Sequence, residues 1–240
     1  MNFSTYNESH LHNSLKLLYS EYYQGNIEVP LGKYIYDIIT KDGNAIEIQT
    51  KNLSHLYNKI DDTIKSGRKI KIIYPVPVVK TIETYNGEGK LLTKRKSPKK
   101  GCLYDIFREL TKIYPYVLNE NFSLEILEIN MTEERLQTPE PVQTKNMKRH
   151  YRKNWLKTNK RLDEILSAKT LNTREDYISF LPKSLPKEFC NKDLQLALKS
   201  EDLASSQIYK NCNIITWVLL RMNIIRETKI ENRKHYFTIQ

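Results

Sequence analysis

The stretch Tyr34–Thr50, YIYDIITKDGNAIEIQT, constrains this chain most. Two short β-type runs flank Asp42-Gly43-Asn44, and Asp-Gly between such runs is a strong hairpin signal. Side chains alternate along a strand, so Ile35, Asp37 and Ile39 share one face and Ala45, Glu47 and Gln49 share another. An acid pointing into a packed layer is costly without a partner. Two carboxylates held close repel unless a cation sits between them. The hairpin therefore has the makings of a divalent-metal site. The plainer reading of the same residues is a solvated polar face.

The elements around the hairpin supply a frame. Ser4 to Tyr23 has Leu11, Leu15, Leu18 and Tyr22 at helical spacing, with Gly25 as its C-cap. Ile27–Leu31 reads as a short strand. Leu53–Ser66 reads as a helix with Asn52 as N-cap and a stripe of Leu53, Leu56, Ile60 and Ile64. Lys69–Tyr74 (KIKIIY) reads as a strand ended by Pro75 and Pro77. The order over the first 75 residues is α-β-β-β-α-β. A second hairpin is expected over Val78–Ser97, a helix over Leu103–Tyr114 and a strand over Ser123–Asn130. Thr138-Pro139-Glu140-Pro141 reads as a linker.

The charge is uneven. Net charge is +11 and the pI is near 9.3, a balance that points to a polyanionic partner, most simply nucleic acid. From Lys145 to Arg161 there are eight basic residues (among them Lys148, Arg149, Arg152 and Lys153) and no acid. Tyr151 and Trp155 are spaced i, i+4, which predicts a basic helix. It either binds phosphates or is simply solvated. Lys99 and Lys100 precede the Leu103 helix, whose first N–H groups would suit a phosphate. The cysteines, Cys102, Cys190 and Cys212, lie far apart with no C-x-x-C, which fits a reducing cytosol. No apolar run approaches a membrane span and the N-terminus lacks a signal-peptide pattern, so a cytoplasmic protein without a membrane partner is expected. The last 55 residues read as helices over Phe189–Lys199 and within Leu203–Met222, then two β-type runs around Glu231-Asn232. That is the order of a winged helix-turn-helix, with the Trp217 helix as recognition helix.

The α-β-β-β-α-β order, with Asp37 on the second strand and Glu47-Ile48-Gln49 on the third, resembles the PD-(D/E)XK nuclease superfamily. The resemblance covers residues 4 to 75 by element order and extends more loosely to 130. It implies an α/β fold: a mixed central sheet with a restriction-endonuclease-like core, followed by the winged helix. It divides the chain into a nuclease-like domain (1–137), a basic linker helix (138–168) and a winged-helix domain (169–240). It implies metal-dependent hydrolysis of phosphodiesters in nucleic acid, DNA first, with Asp37, Glu47 and the Ile48 carbonyl on Mg²⁺ or Mn²⁺. Glu8 matches the acid many members place on the first helix. Tyr36 stands in place of the motif's Pro. Gln49 stands where most members have Lys; Gln can hold a water but supplies no charge. Either Gln49 suffices, or Lys59 on the following helix supplies the charge, or the site is inactive and the chain is a DNA-binding regulator. A protein-interaction module and a homodimer also stay open.

Overall fold

The computed structural model describes residues 9–144, 147, 150–203 and 212–240. The fold is α/β, built on a mixed seven-stranded sheet. Strands β1 (Asn26–Leu31), β2 (Tyr34–Ile39), β3 (Ala45–Ile48), β4 (Ile70–Tyr85), β6 (Phe122–Val142) and β7 (Lys153–Leu171) follow that spatial order, and β5 (Leu91–Lys96) pairs with β4. β4 is parallel to β3 and β6, and the other pairs are antiparallel. Helix α1 (His10–Tyr22) covers one face, where Leu11, Leu15 and Tyr19 meet Ile38, Ile46, Ile48, Ile73 and Leu127. Helices α2 (Tyr57–Lys65) and α3 (Ile106–Ile113) cover the other through Ile60, Phe107 and Leu110. The expected hairpin and its flanking helices are thus present.

The C-terminal part contains α4 (Arg174–Ile178), α5 (Asn191–Ser200), α6 (Cys212–Arg221) and a three-stranded sheet of β8 (Phe189–Cys190), β10 (Lys234–Ile239) and β9 (Ile225–Glu231). Its Phe180, Leu194, Leu198, Val218 and Phe237 belong to the same buried cluster as Ile72 and Phe107. A helix between α5 and α6 would fall on residues 204–211, outside the described residues.

Four expectations are corrected. Pro75 and Pro77 do not end β4, which runs through them. β3 stops pairing at Ile48↔Ile73 and β5 begins only at Thr81↔Lys96, so between them that edge of β4 carries no strand, and a proline lacking N–H is tolerated there. The same reason lets β6 run through Pro139 and Pro141: its pairing with β4 ends at Tyr85↔Leu136. Residues 138–168 are therefore not a linker helix, and the boundary placed after 137 falls inside β6. The basic segment from Lys153 is a strand paired along β6. Trp155 is held across strands, with the Arg135 guanidinium 3.6 Å over its ring, rather than by a helical neighbour.

Gly25 is needed for space rather than as a left-handed cap. The positive φ falls on Gln24, whereas a Cβ on Gly25 would lie 2.6 Å from Ile38 Cγ2 and 2.8 Å from the Ile39 carbonyl oxygen. Gly25→Ala should therefore destabilise the fold by about 1–3 kcal/mol, as overpacking does. A urea melt with an unchanged midpoint would show that β2 gives way freely.

Candidate active site at the fork of two strands

The ladder between β2 and β3 consists of Ile39↔Ala45 and Ile38↔Ile46. Continuing that register would set Asp37 opposite Glu47, but there the strands part. Side chains replace the ladder. The Asp37 N–H donates to Glu47 Oε1 at 3.1 Å. The Ile48 N–H donates to Asp37 Oδ2 at 2.8 Å. N–H and C=O of one strand residue project to the same side, so the Ile48 carbonyl also looks into the fork.

Two helices close on these carboxylates. From α2, Lys59 Nζ donates to Glu47 Oε1 at 2.5 Å and to the Ile35 carbonyl at 2.6 Å. It also lies 4.6 Å from the centre of the Tyr36 ring. From α1, His12 Nε2 is 3.4 Å from Asp37 Oδ2. Glu47 is 5% exposed. Burial, and then the Asp37 charge, push its carboxyl up to about 7 despite Lys59. Burial also pushes Asp37 upward, but the bonds from His12 and Ile48 and the Lys59 charge outweigh it and hold Asp37 below the usual carboxylate range. The two acids of one hairpin are thus driven apart, a pattern typical of acid–base sites and also found in structural ion pairs.

Asp37, Glu47, Ile48 and Lys59 come together as the sequence suggested. Gln49 does not touch them: its Nε2 donates to the carbonyls of Lys51 at 2.7 Å and Asn52 at 3.4 Å. It braces the loop after β3, where Asn52 has φ 56° and no capping bond. Glu8, Lys148 and Arg149 lie outside the described residues. Arg152 and Lys153 are exposed at the start of β7, and Lys99 and Lys100 line a hollow with Thr50, Lys80 and Arg108. His12 was not singled out from the sequence. Its signal was its place beside Leu11 and Leu15 on the buried side of α1.

For a hard cation the fork offers oxygen donors only. The hydrogen bonds to the two carboxylates fall on Asp37 Oδ2 and Glu47 Oε1, so Oδ1 and Oε2 carry none among the described residues. Those residues contain no cluster of three or more His, Cys, Asp or Glu side chains able to hold a metal. Two carboxylates and a carbonyl fit Mg²⁺, which keeps several of its waters and needs few protein ligands.

The match to known proteins covers this same unit. The model of the family described as "Domain of unknown function (DUF8091)" matches residues 9–172, from the α1 N-cap to the end of β7, and the chain belongs to that family. It is 28% identical over 195 residues to an uncharacterized protein of Treponema pallidum (strain Nichols), covering 81% of this chain and 74% of the relative. No solved structure matches significantly. No helix among the described residues is long and apolar enough to cross a membrane.

Among the described residues Lys59 is the only cation paired with Glu47, so Lys59→Met should strand a buried carboxylate and destabilise by about 3–5 kcal/mol. The double change Lys59→Met/Glu47→Gln should recover most of that in chemical denaturation. Glu47 also gives a signed pH effect. Its folded pKa lies above its ordinary 4.5, so its contribution is fully present below about 4.5 and fades as pH rises to about 7. The stability difference between wild type and Glu47→Gln should change over that window; a constant difference would show that Glu47 is ionised throughout.

Proposed function

We propose that this protein is a metal-dependent phosphodiesterase acting on nucleic acid, DNA first, with its site at Asp37, Glu47 and Lys59. The observation that carries the reading is the meeting of two carboxylates from one hairpin with the ammonium of Lys59 from the next helix. This is the arrangement the PD-(D/E)XK resemblance implies for members whose lysine has moved off the strand. The sheet order, with α1 and α2 on opposite faces of the fork, is compatible with a restriction-endonuclease-like core.

Asp37, Glu47 and the Ile48 carbonyl would hold Mg²⁺ or Mn²⁺, which when bound supplies charge stabilisation and a more acidic water. The chain's own residues do the rest. His12 and the Ile48 N–H keep Asp37 ionised and fixed. Lys59, held at the Ile35 carbonyl and above Tyr36, presents a preorganised positive charge to the developing phosphorane oxygens. Gln49 acts on the loop rather than on the water.

The second reading is a nuclease-like scaffold that binds DNA without cutting it, through C-terminal helices and a β9–β10 hairpin that resemble a winged helix. The packing of α6 speaks against Trp217 as a base reader: its ring stands edge-on to Tyr114 at 5.7 Å, and Ile215, Val218 and Leu219 are buried. Cleavage assays on duplex, single-stranded and branched DNA, in Mg²⁺, Mn²⁺ or EDTA, separate the two readings. Asp37→Asn and Glu47→Gln should abolish cutting. Lys59→Ala should cost about 10²–10³ in rate, and Gln49→Ala about tenfold or less. Wild type that cuts nothing in either metal would leave the scaffold reading. Cutting that survives Asp37→Asn would place the chemistry elsewhere.

A further inference from the structure

β4 outruns β3. After Ile48↔Ile73 it continues to Tyr85 beside β6, with β5 and β7 on its flanks. At about 3.3 Å per residue this makes a wall about 40 Å long beyond the carboxyl end of β3. Glu133, 2% exposed, lies within the wall. Lys157 bonds it at 2.6 Å and Arg135 at 2.6 Å, with Lys80 at 3.8 Å. These cations hold its carboxyl down to about 2, against the effect of burial. Beside this saturated acid Lys80, Arg95, Lys99, Lys153 and Lys157 line a hollow of about 450 Å³. Lys80 and Lys99 also line the next hollow, which reaches Thr50 and Arg108.

Lys160 stands in this cluster without an acid of its own. It is cross-strand partner to Glu133, yet no carboxylate among the described residues lies within ion-pair distance of it. Burial, and then the charges of Lys157, Lys51 and Lys80, push its ammonium down to about 8, with Glu133 acting the other way. The charge of Lys51, in the loop whose carbonyl Gln49 holds, also acts on Lys160. Glu133 is already bonded by Lys157 and Arg135, so the like charges that three separate elements bring around it outnumber the acid they share, and the loop that completes the group starts one residue after Gln49.

We propose that Lys51, Lys80, Lys157 and Lys160 form a phosphate-binding subsite for the backbone of duplex DNA running along the wall, and that Gln49 is the positioning residue that places Lys51 in it. The proposal rests on the phosphodiesterase reading for the direction in which the duplex lies, and it goes beyond that reading in naming the subsite. A duplex fits better than a single strand for two reasons. The wall is about as long as one turn of B-form DNA, ~34–36 Å. Single-strand surfaces also use free aromatic faces for stacking, whereas the Trp155 ring is covered by Arg135.

The test is fluorescence anisotropy of a short labelled duplex in EDTA, titrated with salt, on variants checked by circular dichroism. Lys160→Gln and Lys51→Gln should each weaken binding severalfold and lower the salt slope by about one, because each phosphate contact releases roughly one counterion. Lys160→Arg should restore both. Wild-type affinity should fall as pH rises through about 8, as Lys160 loses its proton beside Lys157, Lys51, Lys80 and Glu133. The Arg variant should fall less. Gln49→Ala should act like Lys51→Gln. Affinity and slope indifferent to Lys160→Gln and Lys51→Gln would overturn the subsite while leaving the nuclease reading intact, all the more if Arg226→Gln/Arg233→Gln in the C-terminal hairpin reduced binding instead. Tighter binding to single strands, or equal competition by an acidic peptide, would overturn the duplex assignment. A wild type that cuts nothing but loses affinity with Lys160→Gln would sink the nuclease reading and leave the subsite standing.

Discussion

The structure turns on the point where β2 and β3 stop pairing. The next antiparallel pair would be Asp37 and Glu47, two acids opposite each other, which is destabilising in a sheet. The strands part instead, and the two acids accept from the Asp37 and Ile48 N–H groups and from Lys59. This leaves one oxygen on each carboxylate without a hydrogen bond among the described residues. The energetic burden falls on Lys59. A buried ion pair of this kind adds little net stability, but removing one partner is severe. The second contact of Lys59, to the Ile35 carbonyl, fixes the ammonium at the mouth of the fork. The site is therefore held by the same bonds that terminate the sheet there, and α2 cannot shift along the sheet without exposing Glu47 unpaired.

A second consequence follows from the same termination. Because β3 ends early and β5 joins only at Thr81, one edge of β4 carries no strand from Tyr74 to Lys80, and the chain can place Pro75 and Pro77 there without losing ladder bonds. β4 and β6 then extend as a parallel pair well past the core, carrying Lys80 and Glu133 to where the loop after β3 ends. Lys80, Lys94, Arg95, Lys153, Lys157 and Lys160 lie on this extension. Two buried carboxylates, Glu83 and Glu133, hold Lys94, Arg135 and Lys157 there, so these cations keep fixed mutual positions. Fixed cations lose less entropy on meeting a phosphate than mobile ones.

The hairpin and its helices were legible because their signals are local: Asp-Gly at the turn, alternation on both sides, and the Leu53–Ile64 stripe. The basic segment was misread because its one helical cue, Tyr151 and Trp155 four apart, is weaker than the long pairing with β6 that decides the matter. Nothing within residues 145–161 announces that partner, which precedes them in the chain. The prolines misled for a related reason. A proline ends a central strand but not an edge, and whether a strand has an edge depends on the length of its neighbour. Lys59 was legible as an alternative only through the resemblance, which allows the lysine to sit on the helix after the third strand. The lysine cluster was not, because Lys51, Lys80, Lys157 and Lys160 meet only when three separate elements are in place.

Gln49 ties these strands of argument together. On the strand next to a phosphate, an amide in place of an ammonium would be a loss of charge at the point of need. In this fold the charge comes from Lys59, on a helix locked to Glu47, and the Gln49 position is released from that duty. An amide can then do what an ammonium cannot do as well. Its planar NH₂ donates toward two carbonyls of one turn, Lys51 and Asn52, and so stabilises a loop whose Asn52 sits at positive φ. A lysine at 49 would reach past that turn and add a like charge beside Lys51, Lys80 and Lys160, raising the repulsion that already pushes Lys160 down. In this reading the exchange of Lys for Gln on the strand reflects a division of labour. The charge next to the carboxylates comes from the helix, the backbone-binding charge comes from the wall, and the strand residue between them is neutral because it braces the loop that joins the two.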